Sequence, residues 1–200
     1  MYKWREMTEA ERTDALRERI GRGLPWHRPP HRDFVGPATF IITGACYEHR
    51  HVIGSSIQRM AEFEGEILQA CKAAGGQTFA WCILPNHYHL LTRTEEISLL
   101  RKAIGKVHGR TATLWNRMDK KAGRKVWFNF FDREIRSERH YWATKNYIHN
   151  NPVHHGYVKK WQGWPFSSVH QYLEAIGRDE ASRIWREYPV LDYGKGWDDY

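Results

Sequence analysis

Residues 78–92, TFAWCILPNHYHLLT, hold two apolar runs split by Pro85-Asn86. Thr78–Leu84 and His87–Thr92 each have the length of a strand, and the Pro-Asn break is a turn signal, so the two read as an antiparallel pair. Upstream, Ser56 can cap a helix that runs to about Ala74, with Ile57, Met60, Phe63, Ile67 and Cys71 at inward three- and four-residue spacings. Gly75-Gly76 stops it. Before that helix, Thr39-Phe40-Ile41-Ile42-Thr43 is a β-branched run suited to a central strand. Downstream, the spacing of Leu100, Ile104, Val107, Thr111 and Leu114 predicts a helix from about Ser98 to Met118, and Val126–Ile135 reads as a further strand. Ser137 caps a third helix, which carries Tyr147 and is expected to end near Asn151 because Pro152 disfavours helical geometry in the residue before it. The order β-α-β-β-α-β plus a helix gives an α+β fold. It is a ferredoxin-like split βαβ antiparallel sheet with helices on one face, followed by a C-terminal tyrosine-bearing helix.

Three regions follow from composition. Residues 1–36 combine a charged helix, in which Thr8 and Glu11 form a capping box, with a basic arm holding Pro25, Pro29 and Pro30 among Arg22, Arg28 and Arg32. Residues 37–153 hold the sheet and its helices, and residues 154–200 form a basic and aromatic segment with a tail. The 200 residues carry 31 Lys and Arg against 23 Asp and Glu, a formal charge of +8, together with ten Trp and ten Tyr. Positive charge interleaved with flat rings suits a polyanion that offers stackable bases, single-stranded nucleic acid above all; a basic protein with a Trp-rich core is the plainer reading. Three cysteines with no C-x-x-C pair argue against a disulfide framework or a zinc knuckle. The longest uncharged apolar stretch, Ala38–Cys46, is about half a membrane span, so a cytosolic chain with no membrane partner is expected.

The residues able to do chemistry lie in two places. In a strand, His87 and His89 project from one face about 7 Å apart, and Tyr88 points the other way into the core. Two neutral imidazoles on one face can hold a divalent ion, although chance and polarity also explain such pairs in a chain with 12 histidines. In the third helix, Tyr147 and Asn151 stand four apart and share a face. Asn151 can offer a carbonyl oxygen to a metal, or serve only as a C-terminal cap beside a half-buried tyrosine.

An H-x-H strand followed by a helix bearing Tyr147-Ile148-His149-Asn150-Asn151-Pro152-Val153 closely resembles the REP-associated tyrosine transposases, a group of single-tyrosine HUH transposases. The resemblance covers roughly Arg22 to Gly177. It includes Phe131-Asp132-Arg133-Glu134-Ile135-Arg136, which resembles the strand leading into the family's tyrosine helix. It also includes Val153–Val158 with Trp164-Pro165-Phe166-Ser167-Ser168, which resembles the C-terminal portion. The resemblance implies that His87, His89 and Asn151 bind Mg²⁺ or Mn²⁺ and that Tyr147 is the nucleophile. It also implies nicking of hairpin-forming repeat DNA through a 5′-phosphotyrosine link that a 3′-hydroxyl can later reseal. A free phenol has a pKa near about 10, so the tyrosine needs electrostatic help. Imidazole ligands favour Mn²⁺ over Mg²⁺, with zinc an alternative.

The expected DNA contacts fall on several surfaces. Lys102, Lys106 and Arg110, each four apart, make a basic ridge that either tracks phosphates or is an ordinary solvated face. Arg136 precedes the tyrosine helix. Lys159, Lys160, Trp161 and Trp164 follow it, where the aromatics either stack on bases or pin the segment to the core. The expected partner is single-stranded DNA with hairpin-forming repeats; monomer and homodimer both stay open. Two other readings share the fold: a DNA-binding regulator without turnover, and a replication or conjugation initiator. The missing G-x-x-x-x-G-K-[ST] motif argues against a multidomain initiator.

Overall fold

The computed structural model describes residues 7–21 and 34–194. Most of the basic proline-rich arm, residues 22–33, lies outside the described residues. The N-terminal helix α1, Glu9–Gly21, opens with the expected box: Thr8 N–H donates to Glu11 Oε2 at 2.7 Å and Glu11 N–H to Thr8 Oγ1 at 3.3 Å.

The sheet elements are β1 (Ala38–Ala45), β2 (Gln77–Ile83), β3 (His87–Thr94) and β4 (Phe131–Glu134), in the spatial order β2-β3-β1-β4, all neighbours antiparallel. Helix α2 (Ile57–Ala73) joins β1 to β2, and α3 (Ile97–Met118) joins β3 to β4. This is the split βαβ arrangement. Ser56 caps α2 by accepting Arg59 N–H at 3.1 Å. On the first face of the sheet, Phe40, Ile42, Tyr88 and Leu90 pack against Met60, Phe63 and Ile67 of α2 and Leu100, Ile104 and Val107 of α3. The period-2 alternation of β1 and β3 then sends Ile41 and Leu91 to the second face, where they meet Tyr147 and Ile148 of α4 (Glu138–His154). Gly44, opposite Tyr88 in the β1–β3 register, has no room for a side chain: a Cβ there would lie 2.5 Å from the Tyr88 ring.

Three details depart from the sequence reading. Ile57, expected inward, opens the first turn of α2 and is 77% exposed. The strand expected over Val126–Ile135 shortens to Phe131–Glu134. Trp127 forms only a bridge with Cys46, and four residue steps from Trp127 to Phe131 face three from Cys46 to Thr43, so one residue bulges out of the ladder. Trp127 instead anchors in the helical layer, stacked on His108 with ring centroids 4.1 Å apart and donating its indole N–H to Thr111 Oγ1 at 3.0 Å. Finally, α4 does not stop at Asn151. It continues through Pro152 to His154, forgoing the one hydrogen bond that Pro152 cannot donate, and closes with Gly156 at φ 72°.

After α4 the chain crosses to the β2 edge. Ile83 N–H donates to Phe166 O at 2.9 Å and Ser168 N–H to Trp81 O at 3.1 Å, so residues 166–168 cover that edge before α5 (Val169–Ile176) and α6 (Arg178–Glu187). Among the described residues no helix is long and apolar enough to cross a membrane. The three cysteines are free and buried, and burial pushes the thiols of Cys46 and Cys71 up to about 12, which keeps them unreactive.

Candidate active site

His87 begins β3 opposite Ala45, the last residue of β1, and His89 lies opposite Thr43. Both imidazoles face the second side of the sheet, under α4. Ser137 caps that helix by accepting His140 N–H at 3.1 Å, and Glu138 in the first turn complements the helix dipole. The i,i+4 spacing then brings Tyr147 and Asn151 down onto the histidines. The His87 and His89 ring centroids are 5.1 Å apart, His89 and Tyr147 meet edge-to-face at 5.1 Å, and His87 Nε2 lies 3.0 Å from Asn151 Oδ1. All four side chains are buried. The four residues singled out from the sequence thus converge on one place.

The surrounding hydrogen bonds fix which atoms face inward. Asn86 Nδ2 donates to His49 O at 3.2 Å, which orients the amide so that its Oδ1 faces His87 Nδ1 at 2.8 Å. An amide oxygen only accepts, so His87 Nδ1 carries the proton and Nε2 of the neutral ring presents a lone pair. The atom it faces, Asn151 Oδ1, is a second acceptor. Two lone pairs turned toward each other at 3.0 Å call for a cation, either a proton on the ring or a metal ion. Turning the Asn151 amide is the remaining way to pair them. Asn151 Nδ2 is buried with no hydrogen-bond partner among the described residues. For ligand bonds of about 2.1 Å, adjacent ligands of an octahedral ion stand about 3.0 Å apart, so the donor spacing fits a divalent ion. Thr43 Oγ1 engages His89 Nδ1 at 2.7 Å, leaving Nε2 as the nitrogen for a ligand. No cluster of three His, Cys, Asp or Glu side chains suited to a metal occurs among the described residues; beside the two imidazoles stand the Asn151 amide and the His155 ring, whose centroid is 4.9 Å from that of His87.

Sequence reasoning missed Asn86 and Thr43, which look like turn and strand residues until the register places them. It also missed the cover over Tyr147. Tyr193 packs against that ring at 5.6 Å, and a Cβ on Gly194 would come within 2.2 Å of it, so backbone passes directly over the phenol. Tyr193 is held there by Thr144 Oγ1 at 2.7 Å and His140 Nε2 at 3.1 Å. His149, by contrast, turns away. Its Nε2 meets Ser168 Oγ at 2.9 Å, its ring packs 5.0 Å from Tyr172, and burial pushes its pKa down to about 3.

Over 124 residues the chain is 31% identical to a protein of Haemophilus influenzae named as a REP-associated tyrosine transposase, covering 57% of this chain and 70% of that protein. The chain belongs to the REP-associated tyrosine transposase family. The family is one of DNA-cleaving and rejoining enzymes. A member from Escherichia coli K12 is 32% identical over 97 residues, 46% of this chain and 53% of its own length. A solved structure of a REP-associated tyrosine transposase bound to a REP hairpin superposes with a TM-score of 0.58 at 21% identity, covering 86% of this chain and 94% of that one, a likeness of fold. No protein-family model matches the chain.

The expected DNA-contacting residues of this family member are dispersed. Lys102, Lys106 and Arg110 are exposed on α3, which packs on the first face of the sheet, so the sheet separates the ridge from His87. Arg110 is also paired with Glu66 of α2, Nε to Oε1 at 2.7 Å. Arg136 pairs with Glu134 at 3.2 Å. Lys159 and Lys160 are exposed just beyond α4. Trp161 packs 5.4 Å from Trp185, and Trp164 donates its indole N–H to Ile83 O at 2.9 Å and so works as an anchor.

Proposed function

We propose that this chain is a metal-dependent nickase and strand transferase acting on single-stranded DNA at hairpin-forming repeats, with Tyr147 as its nucleophile. The observation that carries the reading is the convergence of His87, His89, Asn151 and Tyr147 on one buried face at the start of β3. Family membership and the hairpin-bound relative of similar fold support it.

His87 Nε2, His89 Nε2 and Asn151 Oδ1 would hold Mg²⁺ or Mn²⁺, and two imidazoles in the set favour Mn²⁺. Such an ion, when bound, supplies Lewis acidity at the phosphoryl oxygen. The remaining work falls to the chain. Asn86 keeps His87 in the tautomer with Nε2 unprotonated, and Thr43 fixes the His89 ring. Tyr147, placed by its helix beside His89, attacks phosphorus. The Oη–P bond forms, the P–O3′ bond breaks, and the products are a 5′-phosphotyrosyl ester and a free 3′-hydroxyl. A later 3′-hydroxyl attacks the same phosphorus and releases Tyr147, so no nucleotide cofactor is consumed. His149 is poorly placed as a base for Tyr147: it is engaged by Ser168, and burial leaves the ring with little affinity for a proton. Lys159 and Lys160, beyond the same helix, would meet the backbone near the cut, whereas Lys102 and Lys106 would meet a part of the DNA that wraps past the sheet.

The test presents one labelled sequence as a hairpin with an unpaired tail, as a linear single strand and as a full duplex, each with Mn²⁺, Mg²⁺ or excess chelator. The reading expects cutting of the tailed hairpin with either metal, little cutting of duplex and none with chelator. Equal cutting of duplex and tailed hairpin, or full activity in chelator, contradicts it.

A further inference from the structure

We propose that Tyr47, Phe128 and Lys125 form a stacking subsite for an unpaired base of the DNA strand beside the phosphate that is cut, an inference that rests on the strand-cutting reading above. The two rings lie 4.8 Å apart at 45°, and Lys125 Nζ sits 4.6 Å from the Tyr47 centroid and 5.7 Å from that of Phe128. Both rings are half-buried, and among the described residues neither belongs to the packed clusters on the two faces of the sheet; Phe128 also faces His49 at 6.4 Å. A pair of half-buried rings beside an exposed lysine invites a functional explanation.

Their position supplies one. Tyr47 lies two residues past the end of β1, in a single turn over Tyr47–His49 in which Glu48 and His49 both adopt left-handed backbone, φ 58° and 49°. Two such residues in succession, neither of them glycine, are held only where the surroundings insist, and such strain gathers at functional sites. Here the surroundings are the end of β1, the segment before β4 and the turn that leads into β3. Cys46 N–H donates to Asn86 O at 2.7 Å, Tyr47 N–H to Val126 O at 2.7 Å, and Phe128 N–H to Ala45 O at 2.9 Å. The side-chain amide that holds His49 O is the one that orients His87. The ring pair is therefore fixed to the metal-binding histidine through one residue, Asn86.

The chemistry of the trio selects its occupant. Lys125 is exposed and has no ion-pair partner among the described residues; its ammonium rests on ring faces, a weak hold at an exposed site. Moving onto a phosphate would satisfy the charge and uncover the face of Tyr47 for a base. Glu48, the nearby carboxylate, is engaged by Arg50 and does not repel the strand. A polyanion without rings would use the lysine and leave both aromatics idle, and a base inside a duplex has no face to offer. An unpaired nucleotide uses all three groups.

The probe is a DNA hairpin with a short unpaired tail, built on any palindromic repeat found beside the coding sequence, with 2-aminopurine placed at each tail position in turn. The full-length protein should quench one of these positions. Tyr47→Ala and Phe128→Ala should each abolish that quenching and weaken binding of the tailed hairpin by about fivefold or more, while a hairpin without a tail binds as before. Tyr47→Phe should behave as wild type, and thermal melting reports whether the alanine variants fold. Lys125→Gln, at an exposed position, should fold normally and flatten the salt dependence of binding by about one phosphate contact. If wild type cuts the tailed hairpin while folded Tyr47→Ala and Phe128→Ala quench and bind like it, or while Lys125→Gln keeps the full salt slope, the subsite is wrong and the cutting stands. If wild type neither binds nor cuts the probe, the function proposed for the site is wrong and the subsite falls with it.

Discussion

Replacing Asn86 by alanine removes two contacts with different consequences. The first, Asn86 Oδ1 to His87 Nδ1 at 2.8 Å, selects the tautomer; the second, Asn86 Nδ2 to His49 O at 3.2 Å, holds the strained turn after β1. Each neutral hydrogen bond contributes about 1 kcal/mol to stability, so Asn86→Ala should cost about 2 kcal/mol and remain folded at room temperature. The effect on metal binding is separate. Without the Asn86 oxygen, the His87 proton can move to Nε2, the nitrogen that must donate its lone pair, and the ring can rotate. Loss of an outer hydrogen bond of this kind weakens metal binding about 10- to 100-fold, about 1.4–2.7 kcal/mol. Asn86→Asp keeps the acceptor for His87, now as a carboxylate that strengthens the ring as a ligand, and loses the donor to His49 O. It should bind metal at least as tightly as wild type while losing about 1 kcal/mol or more of stability. Mn²⁺ titration of the DNA-free protein, followed by the electron paramagnetic resonance of unbound Mn²⁺, measures the affinities, and urea melts measure the stability. If folded Asn86→Ala binds Mn²⁺ as tightly as wild type, the tautomer argument is refuted. If Ala and Asp lose affinity equally, Asn86 acts by holding the turn and not by orienting His87.

Three further outcomes test the framework around the site. His108 is buried with its pKa pushed down to about 3, whereas the unfolded chain titrates near about 6.5. Only the unfolded state takes up that proton between these values, so stability is lost as pH falls below about 6.5, at up to about 1.4 kcal/mol per pH unit, and nothing is lost above it. Urea melts of His108→Gln between about pH 6 and 4 should show a slope shallower by about one proton; an unchanged slope would contradict the assignment. Asp119 accepts from Arg59 at 2.6 and 3.1 Å and from Arg124 at 2.8 Å, which holds its carboxyl down to about 2. Asp119→Asn strips the counter-ion from Arg59, which is 5% exposed, and should cost about 3–5 kcal/mol; a loss under about 1 kcal/mol in the same melts would mean that the guanidinium is satisfied by Val52 O alone. Gly44→Ala drives a methyl into the fully buried Tyr88 ring and should destabilise by about 1–3 kcal/mol, whereas an unaltered melting temperature would show that the ring can yield.

How much of this was legible in the sequence depended on how local the cause was. Ser56 and Ser137 cap their helices because a hydroxyl reaches only a few residues ahead, so the signal lies within one turn. The shared face of the H-x-H pair and that of Tyr147 and Asn151 follow from the strand and helix periods, and the structure brings the four side chains together. What they could not show was which sheet face α4 would cover. Buried residues ring that helix from Thr144 onward, because sheet and α5–α6 enclose it, and periodicity fades when both sides are buried. Asn86 reads as a turn residue and Thr43 as a strand residue; their roles exist only through the β1–β3 register. Trp127 read as strand because it is aromatic among apolar residues, yet its indole N–H found Thr111 on α3 and the ladder broke beside it. Lys102, Lys106 and Arg110 are exposed on α3 as their spacing predicts, but helix spacing does not tell on which side of the sheet His87 and His89 lie. The Tyr193–Gly194 cover on Tyr147 has no local signature at all.

The central claim is that Tyr147 itself joins covalently to DNA, and the most direct measurement is mass spectrometry of the adduct. The protein is incubated with Mn²⁺ and a DNA hairpin carrying an unpaired tail, digested with protease and nuclease, and the phosphorylated peptide is sequenced. The account predicts a 5′-phosphonucleotide on Tyr147, and no adduct from Tyr147→Phe, which keeps the ring against His89 and lacks only the attacking oxygen. An adduct mapped to another residue, or one formed undiminished by Tyr147→Phe, would contradict it.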